Sequence, residues 1–286
     1  MSYHAPADVT EAVTLLASQD NARPLAGGTD LLVQMRSGRV RPEMIVDIKR
    51  IDRAMGVRAR DGGFAIGAAT PCTELLNETA LCKAWPGVVE AANLIGSVQV
   101  RNRATIGGNL CNASPAADSV PALIAANASA VVVGPAGERE VPVQDLLAGP
   151  GRTTLGKGEF LLEILLPPRP PRSGDAYLRS IPRTEMDIAV VGVGVSLTCD
   201  ESGACTDARV ALGAVAPTAL LVPEAGAALV GSRLEDAALE KLAEAVKAAC
   251  RPIDDKRGTI DYRIAMTAVF APRVARIAHQ RAQEAA

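Results

Sequence analysis

The residues of this chain whose types and spacing could do chemistry lie in two glycine-bearing segments, Leu25-Ala26-Gly27-Gly28-Thr29-Asp30 and Thr105-Ile106-Gly107-Gly108-Asn109. A glycine pair lets backbone amides turn toward an anion more closely than any side chain could approach it. Each pair is entered from an apolar or β-branched stretch and followed by polar residues. One such loop carries little weight. Two of them read as opposite walls of a site for a long, diphosphate-containing cofactor.

The second segment runs on through Leu110-Cys111-Asn112-Ala113-Ser114-Pro115-Ala116-Ala117-Asp118, dense in small and hydrogen-bonding residues. Thr105, Asn109, Asn112 and Ser114 add side-chain donors suited to phosphate and sugar oxygens. A charge-assisted amide-to-phosphate bond contributes about 1.5–3 kcal/mol, so several across both loops would hold a dinucleotide tightly. Asp118, an acceptor only when ionised, suits a ribose or ribityl hydroxyl. The same spacing also describes a tight turn cluster in which Asp118 caps the helix after Pro121, and the residues alone leave both readings open.

Composition narrows the partners. The 286 residues are enough for two or three compact subdomains. Apolar residues make up 48% of the chain and aromatic residues 2%, so a flavin or purine ring is expected to pack against aliphatic side chains. Scarce aromatics and a net charge of −2 both argue against nucleic acid as a partner. The N-terminus lacks a basic region followed by an apolar run, and no stretch reaches the roughly 18 apolar residues of a membrane span. The expectation is a cytoplasmic chain with no membrane span.

Six cysteines, Cys72, Cys82, Cys111, Cys199, Cys205 and Cys250, form no Cys-x-x-Cys pair and have no histidine at a useful spacing. Neither zinc nor an iron–sulfur cluster is signalled in this chain, and most of the thiols read as small reduced core residues. Cys111, inside the second glycine segment, is the one to watch. His4 and His279 lie near the two ends of the chain, outside both loops.

The elements that must position these loops follow from pattern. Asp8 caps a helix with Val9, Ala12, Val13, Leu16 and Ala17 on one face and Glu11 completing a capping box, with Asn21 closing it. Ala22 to Ala26 leads into the first loop, Leu31 to Arg36 is a helical turn, and Met44 to Ile48 is a strand. From Gly56 to about Pro167 short β runs dominate, clearest at Phe64 to Gly67, Ala130 to Val133 and Phe160 to Leu166. Helical stretches fall near Thr73 to Leu76 and Val88 to Leu94, and a further one has Pro121 at its first position.

The Pro- and Arg-rich stretch beginning at Pro167 is the best linker in the sequence. Beyond it, Val191, Val193, Val195 and Leu197 alternate as a half-buried strand, Arg209 to Val215 forms a second, and the Gly203 stretch between them turns. Two helices close the chain: one with Leu234, Ala238, Leu242 and Val246 on a face, and one from Ile260 to His279 that Pro272 should kink or divide. The expected organisation is residues 1–55, 56–167, a linker at 168–174, and 175–286. Arg101 and Arg103 read either as partners for phosphate or an acidic surface or as solvated charges on a strand edge, and Trp85 as a packing anchor.

Pro24 to Leu31, Ile95-Gly96-Ser97-Val98-Gln99-Val100-Arg101-Asn102-Arg103-Ala104 running into the second loop, and Ser114-Pro115 with Asp118 together resemble the FAD-binding medium subunit of the molybdenum hydroxylases. These are enzymes of the xanthine dehydrogenase and aerobic carbon monoxide dehydrogenase type. The likeness extends to Ile66 to Thr70, Arg183 to Ala189 and Gly213 to Thr218, and so covers nearly the whole chain.

The resemblance implies an α+β fold: a two-subdomain FAD-binding fold of the vanillyl-alcohol-oxidase/PCMH type, then a small α+β C-terminal domain with an antiparallel sheet and helices. It assigns the diphosphate to Leu25, Ala26, Gly27, Gly28, Thr29, Asp30 and Leu31 and to Thr105, Gly107, Gly108 and Asn109. It assigns the sugar or ribityl chain to Asn112 and Asp118, the rings to Ile95 and to Leu161 or Leu162, and a further contact to Arg179, where relatives often carry Lys. Arg keeps that charge but not its geometry.

By the same resemblance FAD is held non-covalently and serves as an electron outlet. Substrate is hydroxylated at a molybdenum cofactor on a large subunit, and electrons cross two 2Fe–2S clusters on a small one. They then leave through FAD to NAD+, oxygen or another acceptor. The implied assembly is a dimer of heterotrimers, and this chain supplies cofactor placement with no catalytic residue or metal site of its own. The competing expectation is a stand-alone FAD-dependent oxidoreductase, which needs an acid/base pair over the flavin.

Overall fold

A computed structural model of the chain describes residues 1–285. Its first unit is a three-stranded parallel sheet in the order β1-β3-β2, from β1 (Ser2–His4), β2 (Ala22–Leu25) and β3 (Met44–Asp47). Helix α1 (Val9–Ser18) starts as its sequence dictates, Asp8 accepting from the Glu11 N–H at 2.8 Å. It ends at Ser18, short of Asn21, because Gln19 already turns to an extended conformation. Helix α2 (Leu31–Arg36) follows the first glycine loop.

The second unit is a five-stranded antiparallel sheet, β4-β5-β10-β6-β7. It comprises β4 (Val57–Arg60), β5 (Gly63–Gly67), β6 (Ser129–Gly134), β7 (Gly137–Pro142) and a central β10 (Phe160–Leu166). A small ribbon of β8 (Leu147–Gly149) and β9 (Arg152–Thr153) lies between β7 and β10 in sequence. β10 bulges between Leu161 and Glu163, so that Leu162 joins Ala12, Leu16 and Val46 of the first unit while Leu161 and Ile164 both face a layer of helices. That layer contains α3 (Cys72–Asn77), α4 (Thr79–Ala84), α5 (Pro86–Asn93), α6 (Val98–Arg101), α7 (Ile106–Asn112) and α8 (Ser119–Ala125).

The third unit packs on the far side of those helices. Its antiparallel sheet runs β11 (Ser173–Ser180), β12 (Val191–Cys199), β13 (Cys205–Gly213) and β14 (Leu220–Leu221). Helices α9 (Pro223–Ala227), α10 (Asp236–Ala249) and α11 (Ile260–Glu284) bury Val193, Val195, Leu212, Leu242, Val246 and Val274 in one core. The whole is an α+β fold whose cores lie between sheets and helices.

Four local expectations change. β11 begins at Ser173, so two residues of the expected linker belong to a strand, where Gly174 lets α11 approach closely. Pro121 stands third in α8, not first. Pro272 does not divide α11, whose Ala271, Val274, Ala275 and Ala278 stay buried in the third core; packing offsets the lost hydrogen bond. Arg101 is no strand-edge charge: it lies on α6, 8% exposed, and donates to the Ile95 and Gly96 carbonyls at 3.4 and 3.3 Å. Trp85 is buried as an anchor, with the Arg169 guanidinium 4.6 Å from its ring centre.

Candidate functional site

The two glycine loops meet. A β-carbon on Gly27 would overlap the Arg103 carbonyl oxygen and stand 3.1 Å from the Ala104 Cα, so glycine alone lets the first loop lie on the turn entering the second. Gly28 has φ +80°, a conformation glycine adopts freely. Leu32 N–H closes the turn on the Gly28 carbonyl at 3.0 Å, whereas the N–H groups of Gly27, Gly28 and Thr29 find no acceptor within the described residues. In the second loop Thr105 Oγ1 accepts from the Gly108 N–H at 2.8 Å and caps α7. Gly107 is pressed on Ala68, where a β-carbon would sit 2.7 Å from the Ala68 Cα.

Between the first and second units opens a cavity of about 1150 Å³. Ala26, Gly27, Gly28, Thr29, Asp30 and Leu31 form one wall, with Ile95, Thr105, Gly108, Asn109 and Asn112 opposite. Across it, Gln34 Nε2 donates to Asn112 Oδ1 at 3.0 Å. Asn109 spends its Oδ1 on the Ser119 hydroxyl and N–H, at 2.7 and 3.3 Å, which fixes the side chain and leaves its amide NH₂ free to donate. Burial raises the Asp30 carboxyl above the ordinary range.

Six of the residues singled out from sequence do not line this cavity: Leu25, Gly107, Asp118, Leu161, Leu162 and Arg179. Leu161 and Leu162 are buried in two different cores. Asp118 and Arg179 instead meet each other between the second and third units, Arg179 Nη1 donating to Asp118 Oδ2 at 2.6 Å. Tyr177 OH donates to Asp118 Oδ1 at 3.1 Å, so Asp118 caps no helix with its side chain. Burial lifts the Asp118 carboxyl to about 6, against the opposing pull of Arg179 and Tyr177.

Sequence reasoning missed the charged rim. Arg23, Arg39, Lys157 and Asp20 all line the cavity, and Lys157 pairs with Asp20 across the two units. Nothing local marks them, because each gains its place only when residues distant in sequence come together. Cys111 also faces the cavity, and burial pushes its thiol up to about 12. Among the described residues no three His, Cys, Asp or Glu side chains gather as a metal site, and no helix is long and apolar enough to cross a membrane.

Size, unspent amides and side-chain donors fit an extended dinucleotide. A family model described as the FAD binding domain in molybdopterin dehydrogenase matches residues 1–169, and one for the CO dehydrogenase flavoprotein C-terminal domain matches residues 176–278. The chain belongs to the flavoprotein subunits of the molybdenum hydroxylases. As a member of that family it is an FAD-binding oxidoreductase subunit.

This flavoprotein is 36% identical to the carbon monoxide dehydrogenase medium chain of Hydrogenophaga pseudoflava, over 95% of this chain and 94% of that one. It is 32% identical to the xanthine dehydrogenase FAD-binding subunit of Escherichia coli, covering 96% and 94%. The reconstituted CO dehydrogenase from Oligotropha carboxidovorans contains a chain that superposes with a TM-score of 0.94 at 34% identity, covering 98% of each. The expected fold of two FAD-binding subdomains plus a C-terminal domain is therefore the observed one.

Proposed function

We propose that this flavoprotein is the electron-exit subunit of a molybdenum hydroxylase, carrying electrons from an iron–sulfur partner to NAD+, oxygen or another acceptor. One observation carries the reading: two glycine loops from separate units face one cavity, the first with the Gly27, Gly28 and Thr29 N–H groups unspent and the second with the Asn109 side-chain amide free to donate. Gly27, Gly28 and Thr29 on one side, and Thr105, Gly108 and Asn109 on the other, would hold the FAD diphosphate. Asn112 would reach the sugar or ribityl chain, and Ile95 a ring. Gly107 serves by letting α7 close on Ala68, and Leu161 and Leu162 act through the cores behind the site.

Bound FAD supplies the redox chemistry. The protein's residues bind it, orient it and keep water from its diphosphate. Asp118 and Arg179 brace the second unit against the third, and Arg179 retains a buried Nε with no partner, a donor still to be used. A non-covalent FAD is supported by the Cys111 thiol, whose burial holds it protonated, and by loops that carry no histidine.

The partners in this reading are a large subunit with the molybdenum cofactor and a small subunit with two 2Fe–2S clusters, arranged as a dimer of heterotrimers in the cytoplasm. Purification from the native source tests it. Molybdenum, iron and two companion chains should accompany the flavin. A solitary chain whose FAD is reduced anaerobically by a small-molecule substrate would make it a stand-alone oxidoreductase instead.

A further inference from the structure

The parallel sheet of the first unit ends in a run of polar contacts. Tyr3 OH donates to Asp47 Oδ2 at 2.6 Å. Lys49 Nζ stands 2.7 Å from Asp47 Oδ1 and donates to the Ala26 carbonyl at 2.9 Å. The Lys49 backbone N–H adds a third bond to Asp47 Oδ1 at 3.0 Å. Leu25 is registered opposite Asp47, so the cluster sits at the carboxyl edge of the sheet, where the first glycine loop departs. Ala26 lines the cavity, while Tyr3, Asp47 and Lys49 do not.

We propose that Lys49 is a positioning residue for the cofactor: by holding the Ala26 carbonyl it aims the Gly27 N–H at the FAD diphosphate. This rests on the reading above, that the loops grip that diphosphate. Among the described residues no peptide bond is cis, and in a trans peptide C=O and N–H point to opposite sides. Fixing the Ala26 carbonyl on Lys49 therefore fixes the Gly27 N–H the other way, and that N–H has no acceptor among the described residues. Gly27 supplies no side chain to orient this peptide, and its packing on Arg103 leaves the Lys49 bond to set which way the Ala26 carbonyl points. Asp47, 7% exposed and itself bonded by Tyr3, holds the lysine ammonium in turn, removing rotamer freedom before the cofactor arrives.

Binding of FAD, ADP and riboflavin to the full-length chain tests the inference, alongside melting of the flavin-free protein. Lys49→Met should weaken FAD and ADP by a similar factor, on the order of tenfold. Riboflavin affinity should not move, while the flavin-free melting temperature should fall modestly because Asp47 loses its ammonium partner. Lys49→Arg should recover most of the loss, and Tyr3→Phe should show a smaller loss in the same direction. Unchanged FAD affinity in Lys49→Met, or an equal loss for riboflavin, would each overturn it. A wild-type chain that binds FAD but not ADP removes the diphosphate reading, and the inference with it. Normal ADP binding alongside an unaffected Lys49→Met removes the inference alone.

Discussion

Gly27 and Arg103 lie backbone against backbone, so near that any side chain at position 27 would strike the Arg103 carbonyl. The contact joins the first unit to the second and sets the two glycine loops on one cavity.

Gly27→Ala should therefore separate the loops. Overpacking at a site that cannot relax costs about 1–3 kcal/mol, and the variant should melt lower and purify with little flavin. Flavin content by absorbance, read with the melting temperature, checks both.

Thr105→Ala removes the acceptor for the Gly108 N–H and frees the start of α7. The expected loss is about 1 kcal/mol, measured by urea denaturation, with a parallel weakening of FAD binding. Thr105→Ser, which keeps the oxygen, should fall between this variant and wild type.

Asp118 gives the protein a pH dependence of definite sign. Its folded-state carboxyl is raised from 3.8 to about 6, so the fold favours the protonated form. That contribution is complete below about pH 4 and is lost as the pH rises through 6, at most about 3 kcal/mol. Relative to Asp118→Asn, wild type should therefore lose stability between pH 4 and 6. Denaturant midpoints across that range give the measurement, and parallel profiles would refute it.

What could be read from sequence was what local chemistry encodes. The Asp8 cap, the Ala130 to Val133 strand and the turn at Gly203 each depend on neighbours a few residues away. The glycine loops were legible because so few residue types let backbone amides approach an anion. Hidden were the pairings between distant positions: Gln34 with Asn112, Lys49 with Ala26, and Asp118 with Tyr177 and Arg179. Leu161 and Leu162 show the limit clearly, since alternation sends them to opposite faces of β10 and only the fold says which core each face meets.

The join between the second and third units has its own test. Asp175 is 3% exposed, accepts from Arg169 at 2.7 Å and from the Val88 N–H at 3.2 Å, while Arg281 donates to its carbonyl and pairs with Glu90. Asp175→Ala leaves the Arg169 guanidinium, 13% exposed, with only the Ala84 carbonyl and the Trp85 ring, and should cost about 2–4 kcal/mol by urea denaturation. Asp175→Asn, keeping an acceptor, should cost less.

The central claim is that both glycine loops hold one diphosphate, and a crystal structure of the FAD-loaded chain tests it most directly. The account expects phosphate oxygens within hydrogen-bond reach of the Gly27 to Thr29 amides on one side and of the Thr105 to Asn109 segment on the other. A diphosphate bound away from either loop would contradict it.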